Sequence, residues 1–382
     1  MKRTDLLAAL KLAAPALGDD GAAQPALSHF CFEDDQFYAF NDLVAVVVGY
    51  PTGLKLGLHG ATLIGVLGAS RAEDIEFKVK GSTVAITGAG RVELPALSAE
   101  DFVFALPDEE PIMSVTLGPD IRAAIELCLI SVADDSLRPE FNGVTLKIGK
   151  GGTVLFSTDN QTLTRAEPKG TKVPSRKEAA LVLPKMAAEL LLKLLAVDGQ
   201  AKAHIGEKLA IIEIAGTPEV TLITKLLGTP SNKLDDVFKQ HVGADVGASC
   251  ALPEGLDAEI TKARVLTSRD ALKECTLVAE KGTLTVSVNA TLGKMRSVLK
   301  LADKKLDGRV CVNPDFVARV LLHVSHMQIN SDRSLVLSAE GLSHIISGIA
   351  QRHPQEAPKE PAAKAAPMRG KAVEFDPDDI PF

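Results

Sequence analysis

Between residues 141 and 195 the chain alternates and then turns helical. Val144, Leu146 and Ile148 alternate with polar residues, residues 149–152 supply turn residues, and residues 154–157 resume an extended run, which predicts a β-hairpin. From Leu183 onward Met186, Ala187, Leu190, Leu191, Leu194 and Leu195 keep a 3.6-residue period. Lys185, Glu189 and Lys193 line the opposite face, so an amphipathic helix follows the hairpin.

The unit recurs. Residues 30–43 (FCFEDDQFYAFNDL) give strand, acidic turn and strand, with a short helix over 60–67. Residues 275–292 (CTLVAEKGTLTVSVNATL) give a third hairpin, and VCVNPDFVARVLLHV a third helix. The matching helices centre near Leu63, Ala188 and Val317, roughly 125 and 129 residues apart, an ordered repeat that divides the chain into domains of ordinary size. Opening helices are expected at MKRTDLLAALKLAAPAL, GPDIRAAIELCLI and LDAEITKARVL, and meanders at DIEFKVKGSTVAITGAGRVELPAL, AKAHIGEKLAIIEIAG with EVTLITKLLG, and SLVLSAEG with LSHIISGIA. The predicted fold class is α+β: three similar domains, 1–112, 113–248 and 249–352, each with two helices packed on roughly eight antiparallel strands.

Composition narrows the function. A 46% hydrophobic and 24% charged chain can bury substantial cores, and no apolar run reaches the roughly 18 residues a membrane span needs. Asp5 and Lys11 interrupt the N-terminal apolar stretch, which reads as an amphipathic helix and not a secretory signal, so a cytoplasmic protein without membrane partners is expected. The five cysteines are widely spaced and predict buried, reduced thiols. His323 and His326 lack a third metal ligand, and the pairs Asp34-Asp35, Asp134-Asp135 and Asp235-Asp236 occupy turns or helix starts. GAG and GKGG lack phosphate-loop spacing, and no nucleophile has a recognisable base partner. Neither enzyme activity, metal nor cofactor is predicted. A net charge of −7 argues against indiscriminate nucleic-acid binding but permits basic residues gathered on one surface.

These repeats, with LSAEDFVF closing the first domain, RPEFNGVTLKI and FSTDNQTL in the second, and the inner helices LVLPKMAAELLLKLL and VCVNPDFVARVL, resemble the bacterial sliding clamp, the β subunit of DNA polymerase III, over residues 1 to about 352. The resemblance implies three DNA-clamp domains per subunit and a homodimer closed head to tail, with helices lining a hole that holds duplex DNA irrespective of sequence. It assigns phosphate contacts to Lys11, Arg122, Lys185, Lys193, Lys262, Arg264 and Arg319, for which a solvated helix face is the alternative. It also implies a pocket between the second and third domains that takes a short apolar peptide from a DNA polymerase or clamp loader. The matching positions are Phe141, Thr158, Leu163, Thr229, Pro230, Ile345, Ile346 and Ile349, with an interdomain core as the alternative. Two departures stand out: the family's Gly-His-Arg is Asn160-Gln161-Thr162 here, and its Met-Pro-Met-Arg-Leu ending is replaced by Ser347-Gly348-Ile349-Ala350-Gln351 and an extension.

The extension is rich in Pro, Ala and Lys over 353–373, the composition of a disordered linker, and ends in an acidic peptide, 374–382. Asp376, Asp378, Asp379, Ile380, Pro381 and Phe382 resemble the C-terminal tip of bacterial single-stranded DNA-binding proteins, which host DNA-maintenance proteins dock. Joined to a clamp body, this tip points to a phage or mobile element acting in the cytoplasm of an infected host. Two other functions carry the same features, a clamp-fold single-stranded DNA-binding protein and a protein-only replication scaffold. The absence of Trp and the presence of only Tyr38 and Tyr50 as tyrosines argue against base stacking.

Overall fold

Three times the chain runs through the same order of elements. The computed structural model describes residues 1–21, 24–88, 90, 92–102, 110–171, 178–195, 200–231, 233–242, 248–331 and 333–349. The first pass comprises α1 (Arg3–Ala13), β1 (His29–Glu33), β2 (Gln36–Phe40), β3 (Val44–Gly49), β4 (Lys55–His59), α2 (Gly60–Ala69), β5 (Glu76–Lys80), β6 (Thr83–Thr87) and β7 (Val92–Ser98). The second comprises β8 (Met113–Leu117), α3 (Ile121–Leu129), β9 (Gly143–Gly149), β10 (Gly152–Thr158), β11 (Thr162–Ala166), β12 (Ala179–Pro184), α4 (Lys185–Leu194), β13 (Ala201–Ile205), β14 (Leu209–Ile214) and β15 (Val220–Lys225). A connecting helix, α5 (Leu234–His241), leads to the third: β16 (Ser249–Ala251), α6 (Leu256–Leu266), β17 (Cys275–Glu280), β18 (Thr283–Ala290), β19 (Gly293–Lys300), β20 (Gly308–Val312), α7 (Pro314–Val320), β21 (His326–Asn330), β22 (Ser334–Ala339) and β23 (Leu342–Ser347). Where the later passes open with β8 and β16, the first has a single bridge, Lys2 to Asp74.

Local chemistry accounts for the elements. In α1 the buried residues Leu6, Ala9, Leu10 and Ala13 follow the i, i+3, i+4, i+7 spacing of one helix face. Helix α7 begins where Asn313 Oδ1 accepts from the Asp315 N–H at 2.9 Å and Pro314 supplies a pre-set φ. Helix α4 departs from its predicted face at one point: Met186, in the first turn, is 39% exposed, with its sulfur 3.2 Å from Asn41 Nδ2. The helices pack in pairs, α1 on α2, α3 on α4 and α6 on α7. All five cysteines are buried, and none forms a disulfide.

Antiparallel pairing joins successive passes. The first sheet runs β5-β6-β7-β4-β1-β2-β3-β15-β14-β13-β8, so β3 of the first pass pairs with β15 of the second. The second runs β12-β9-β10-β11-β23-β22-β21-β16, so β11 of the second pass pairs with β23 of the third. The third, β19-β18-β17-β20, ends at β19 with no following pass. One continuous apolar core runs from Leu6 to Leu222 through the first two passes, whereas the third has its own core from Cys250 to Ile346.

Candidate nucleic-acid interface and partner cleft

The six paired helices carry eight basic and six acidic residues, a positive balance in a chain whose net charge is −7. Helix α2 contributes no charge. Lys11 and Lys193 are exposed and pair with no carboxylate among the described residues. Arg319 is exposed, with its guanidinium 5.2 Å from the Phe316 ring centre. Three further candidate cations are engaged. Lys185 forms an ion pair with Asp134, Lys262 with Glu259 at 2.8 Å, and Arg264 Nε donates to Asp315 Oδ1 at 2.7 Å. Asp315 also accepts from Lys273 Nζ at 2.6 Å.

These contacts shift the carboxylates. Hydrogen bonding from Lys185, with Arg319 nearby, holds Asp134 below the ordinary carboxylate range, and Lys262 with Ser297 does the same for Glu259. Partial burial pushes Asp315 up, but Lys273 and Arg264 outweigh it and the net shift is downward. Arg122, expected to be exposed, is half-buried, and its Nε has no hydrogen-bond partner among the described residues. With its Nε buried, it is a poorer phosphate contact than its spacing implied.

A cleft of about 250 Å³ opens where the second and third passes meet. Phe141, Leu163, Leu234, Val237 and Ile345 supply apolar walls, while Thr158, Asn160, Gln161 and Thr162 form a polar lip. The lip is the β10–β11 turn. Asp159 Oδ1 accepts from the N–H groups of Gln161 and Thr162 at 2.9 and 2.6 Å, and Asn160 takes φ +69°. Asn tolerates this left-handed conformation better than most residues, which explains how Asn160 serves where a glycine was expected.

Helix α5 forms the opposite wall and is pinned from both sides. Lys147 Nζ meets Asp235 Oδ2 at 2.5 Å and the Arg165 guanidinium lies 4.7 Å from the Phe238 ring centre. From the third pass, Asn330 Nδ2 donates to the His241 carbonyl at 2.9 Å, and Ser334 Oγ lies 2.8 Å from His241 Nδ1. Asp235 and Asp236 in its first turn, with Lys239 and His241 in its last, also match the helix dipole.

Of the eight predicted cleft residues, the structure brings together Phe141, Thr158, Leu163 and Ile345. Ile346 faces the opposite side of β23, fully buried in the third core, because successive strand residues alternate faces. Thr229 and Pro230 precede the lining residue Ser231 without lining the cleft themselves, and Ile349, whose N–H donates to the Cys311 carbonyl of β20 at 2.7 Å, is not among the lining residues. Sequence reasoning missed Arg138, Lys233, Leu234, Val237 and His241. The i, i+3, i+4, i+7 spacing of Leu234, Val237, Phe238 and His241 was the available signal. Tip residues Asp376, Asp378, Asp379, Ile380, Pro381 and Phe382 lie outside the described residues.

Beneath the lip runs a buried polar chain. Thr162 Oγ1 donates to Ser131 Oγ at 2.8 Å, Ser131 Oγ lies 2.8 Å from Thr164 Oγ1, and Thr164 Oγ1 lies 2.8 Å from His344 Nδ1. His344 is fully buried; desolvation, with Arg319 adding repulsion, pushes it down to about 3 and keeps it neutral. Its Nε2 has no partner among the described residues. Those residues hold no cluster of three or more His, Cys, Asp or Glu side chains arranged for a metal, and no helix among them is long and apolar enough to cross a membrane.

No protein-family model matches the chain. Solved structures do. The crystal structure of DNA polymerase III subunit beta from Pseudomonas aeruginosa superposes with a TM-score of 0.80 at 16% identity, covering 92% of this chain and 99% of that one. The DNA polymerase sliding clamp from Bacillus subtilis gives 0.81 at 15% identity over 92% and 98%. The DNA polymerase III beta subunit of Thermotoga maritima gives 0.78 at 15% over 92% and 99%. Residues covering nearly all of the chain outside its C-terminal extension therefore adopt the fold of the bacterial DNA polymerase III β sliding clamps.

Proposed function

We propose that this chain is a DNA sliding clamp, two copies of which close head to tail into a ring that encircles duplex DNA and acts as a processivity factor without catalysing a reaction. The observation that carries the reading is the strand seams. The third strand after the opening helix of one pass pairs with the last strand of the next, β3 with β15 and β11 with β23, and among the described strands β19 and β7 lack such a partner. Strand β7 meets β6 over residues 92–95 and β4 only over residues 96–98, so one edge of residues 92–95 is unpaired. By the same rule β19 of one copy joins β7 of another, and two such joints close a symmetric dimer. Charge supports the match. Lys294, Arg296 and Lys300 are exposed along β19, while β7 carries exposed Glu93 and is followed by Glu100 and Asp101.

Static light scattering should give twice the 40.3 kDa chain mass, and Arg296→Glu with Val298→Asp on β19 should return it to one chain mass. A wild-type monomer at micromolar concentration removes the ring. In this reading the cleft takes short apolar peptides of a polymerase or clamp loader. The C-terminal tip recruits host proteins that bind single-stranded DNA-binding-protein tails, in the cytoplasm of an infected bacterium. A peptide of residues 374–382 should displace such a tail from its receptor and lose that ability without Phe382.

A further inference from the structure

Three of the cations facing the proposed DNA path, Lys185, Lys262 and Arg264, are already answered by the chain's own carboxylates. Asp134 pairs with Lys185 from the loop after α3, Glu259 with Lys262 within α6, and Asp315 with Arg264 across the α6–α7 pair. Asp315 serves two cations, Arg264 and Lys273, so it sits at the centre of a charge cluster and not at its edge. Asp134 has Lys185 on its own pass and feels Arg319 from the next, so it spans the junction between the second and third helix pairs. The Asp134–Lys185 pair lies at the surface, where an ion pair contributes little to stability. The three pairs do occupy the donors that a phosphate would need.

We propose that Asp134, Glu259 and Asp315 set the strength with which this protein holds DNA: they stand in for phosphates, so duplex DNA must displace them and is held loosely. The inference rests on the sliding-clamp reading, which places these helices against DNA. Side-chain geometry supports the exchange. Asp134 is 87% exposed and free to swing away, Arg264 is 49% exposed beside it in the series, and Lys262 is 60% exposed. By contrast, Glu259 is 13% exposed and also accepts from Ser297 Oγ at 2.6 Å, so it is the least able to move aside and the strongest standing competitor.

The test is duplex binding by the full-length protein, followed by fluorescence anisotropy across a salt series, for Asp134→Asn, Asp315→Asn and their double variant. Each freed cation should tighten binding roughly 3- to 10-fold at 50 mM salt and steepen the slope of log K against log salt by about 0.9. Glu76→Gln is the control: it removes the same unit of charge and frees Lys78, its partner at 3.2 Å, on strand β5 away from the helices. Thermal melting of each variant confirms folding, and Asp134→Asn is the variant least able to disturb it because its carboxylate is exposed. Tightening by Asp134→Asn and Asp315→Asn but not by Glu76→Gln supports the inference. Unchanged affinity and slope, or equal tightening by Glu76→Gln, overturns it. Encirclement is judged separately, by retention of the wild type on circular DNA, so failure of one does not count as failure of the other.

Discussion

The two seams inside the chain are built from the same strand pairing and differ on the face turned to the large apolar cores. At β3–β15 the partners are Val48 with Val220, Val46 with Leu222 and Ala45 with Ile223, and the apolar core passes through unbroken. The other face of that seam is also apolar, closed by Cys31, Tyr38, Ala45, Val47 and Ile223. At β11–β23 one face is likewise apolar, with Leu163 opposite Ile345 in a cluster with Phe156, Leu234 and Val336, but on the other face Thr164 opposes His344 and the large apolar cores on either side are separate. The first seam welds two passes into one body. The second holds its passes through strand pairing, a small apolar cluster, a hydroxyl chain and α5, and leaves Val237 exposed at the cleft while Phe141, Leu163, Leu234 and Ile345 are nearly covered by the chain itself. A buried polar chain ties register to specific partners where a purely apolar seam would tolerate closer packing and close the cleft.

The sharpest way to break the contrast is to open a cavity in the first seam. Leu222→Ala, at a fully buried position on β15, should cost about 2–5 kcal/mol and should loosen the first two passes together, because they share one core. Denaturant unfolding checks the size, and proteolysis checks that both passes become susceptible. A loss confined to one pass would contradict a shared core.

Acid should act mainly on the second seam. His344 has a folded-state value lowered to about 3 from 6.5, so below pH 6.5 the unfolded chain takes up a proton that the folded chain refuses. Its contribution to stability is therefore intact above pH 6.5 and is lost progressively as pH falls from 6.5 toward 3. Between pH 7 and 5 this amounts to about 2 kcal/mol. His29 and His241, both also lowered with burial as the leading cause, act in the same direction. His344→Gln should flatten most of that acid loss when melting is followed at both pH values. An unchanged dependence would show that His344 is not what acid acts on.

The smallest effect is expected at the cleft wall. Val237, 38% exposed on α5, should tolerate replacement by Ser within about 0.5 kcal/mol, since it buries little in the chain itself. The same change should weaken binding of a short apolar peptide in the cleft, measured by titration calorimetry. A large stability loss would make Val237 part of a closed interdomain core instead.

Much of this was legible in the sequence because periodicity reports directly on burial. The hairpin at residues 141–158, the α4 stripe and the ordered repeat of helices near Leu63, Ala188 and Val317 are local patterns, and local patterns survive folding. What was not legible depended on distant partners. The Lys185 spacing predicted an exposed cation but could not show Asp134 waiting across a loop, and the spacing of Arg122 could not show that its Nε is buried. The cleft was half legible for the same reason: Leu163 and Ile345 belong to predicted strands and Phe141 directly precedes one, while Leu234 and Val237 sit on a short connecting helix whose spacing shows an apolar face but not which strands it packs against. His344 could not be placed at all, since a lone histidine in an apolar strand gives no sign of the hydroxyl chain that meets it.

Ring closure is the central claim, and topology tests it more directly than affinity does. The full-length protein, assembled with a nicked circular duplex and passed through gel filtration at a salt concentration that disrupts phosphate contacts, should co-elute with the DNA. The same plasmid cut once should release it, because a ring held by encirclement slides off an end. Equal retention on circular and linear DNA, or release from both while the protein is dimeric, would contradict encirclement and leave a clamp fold that serves some other purpose.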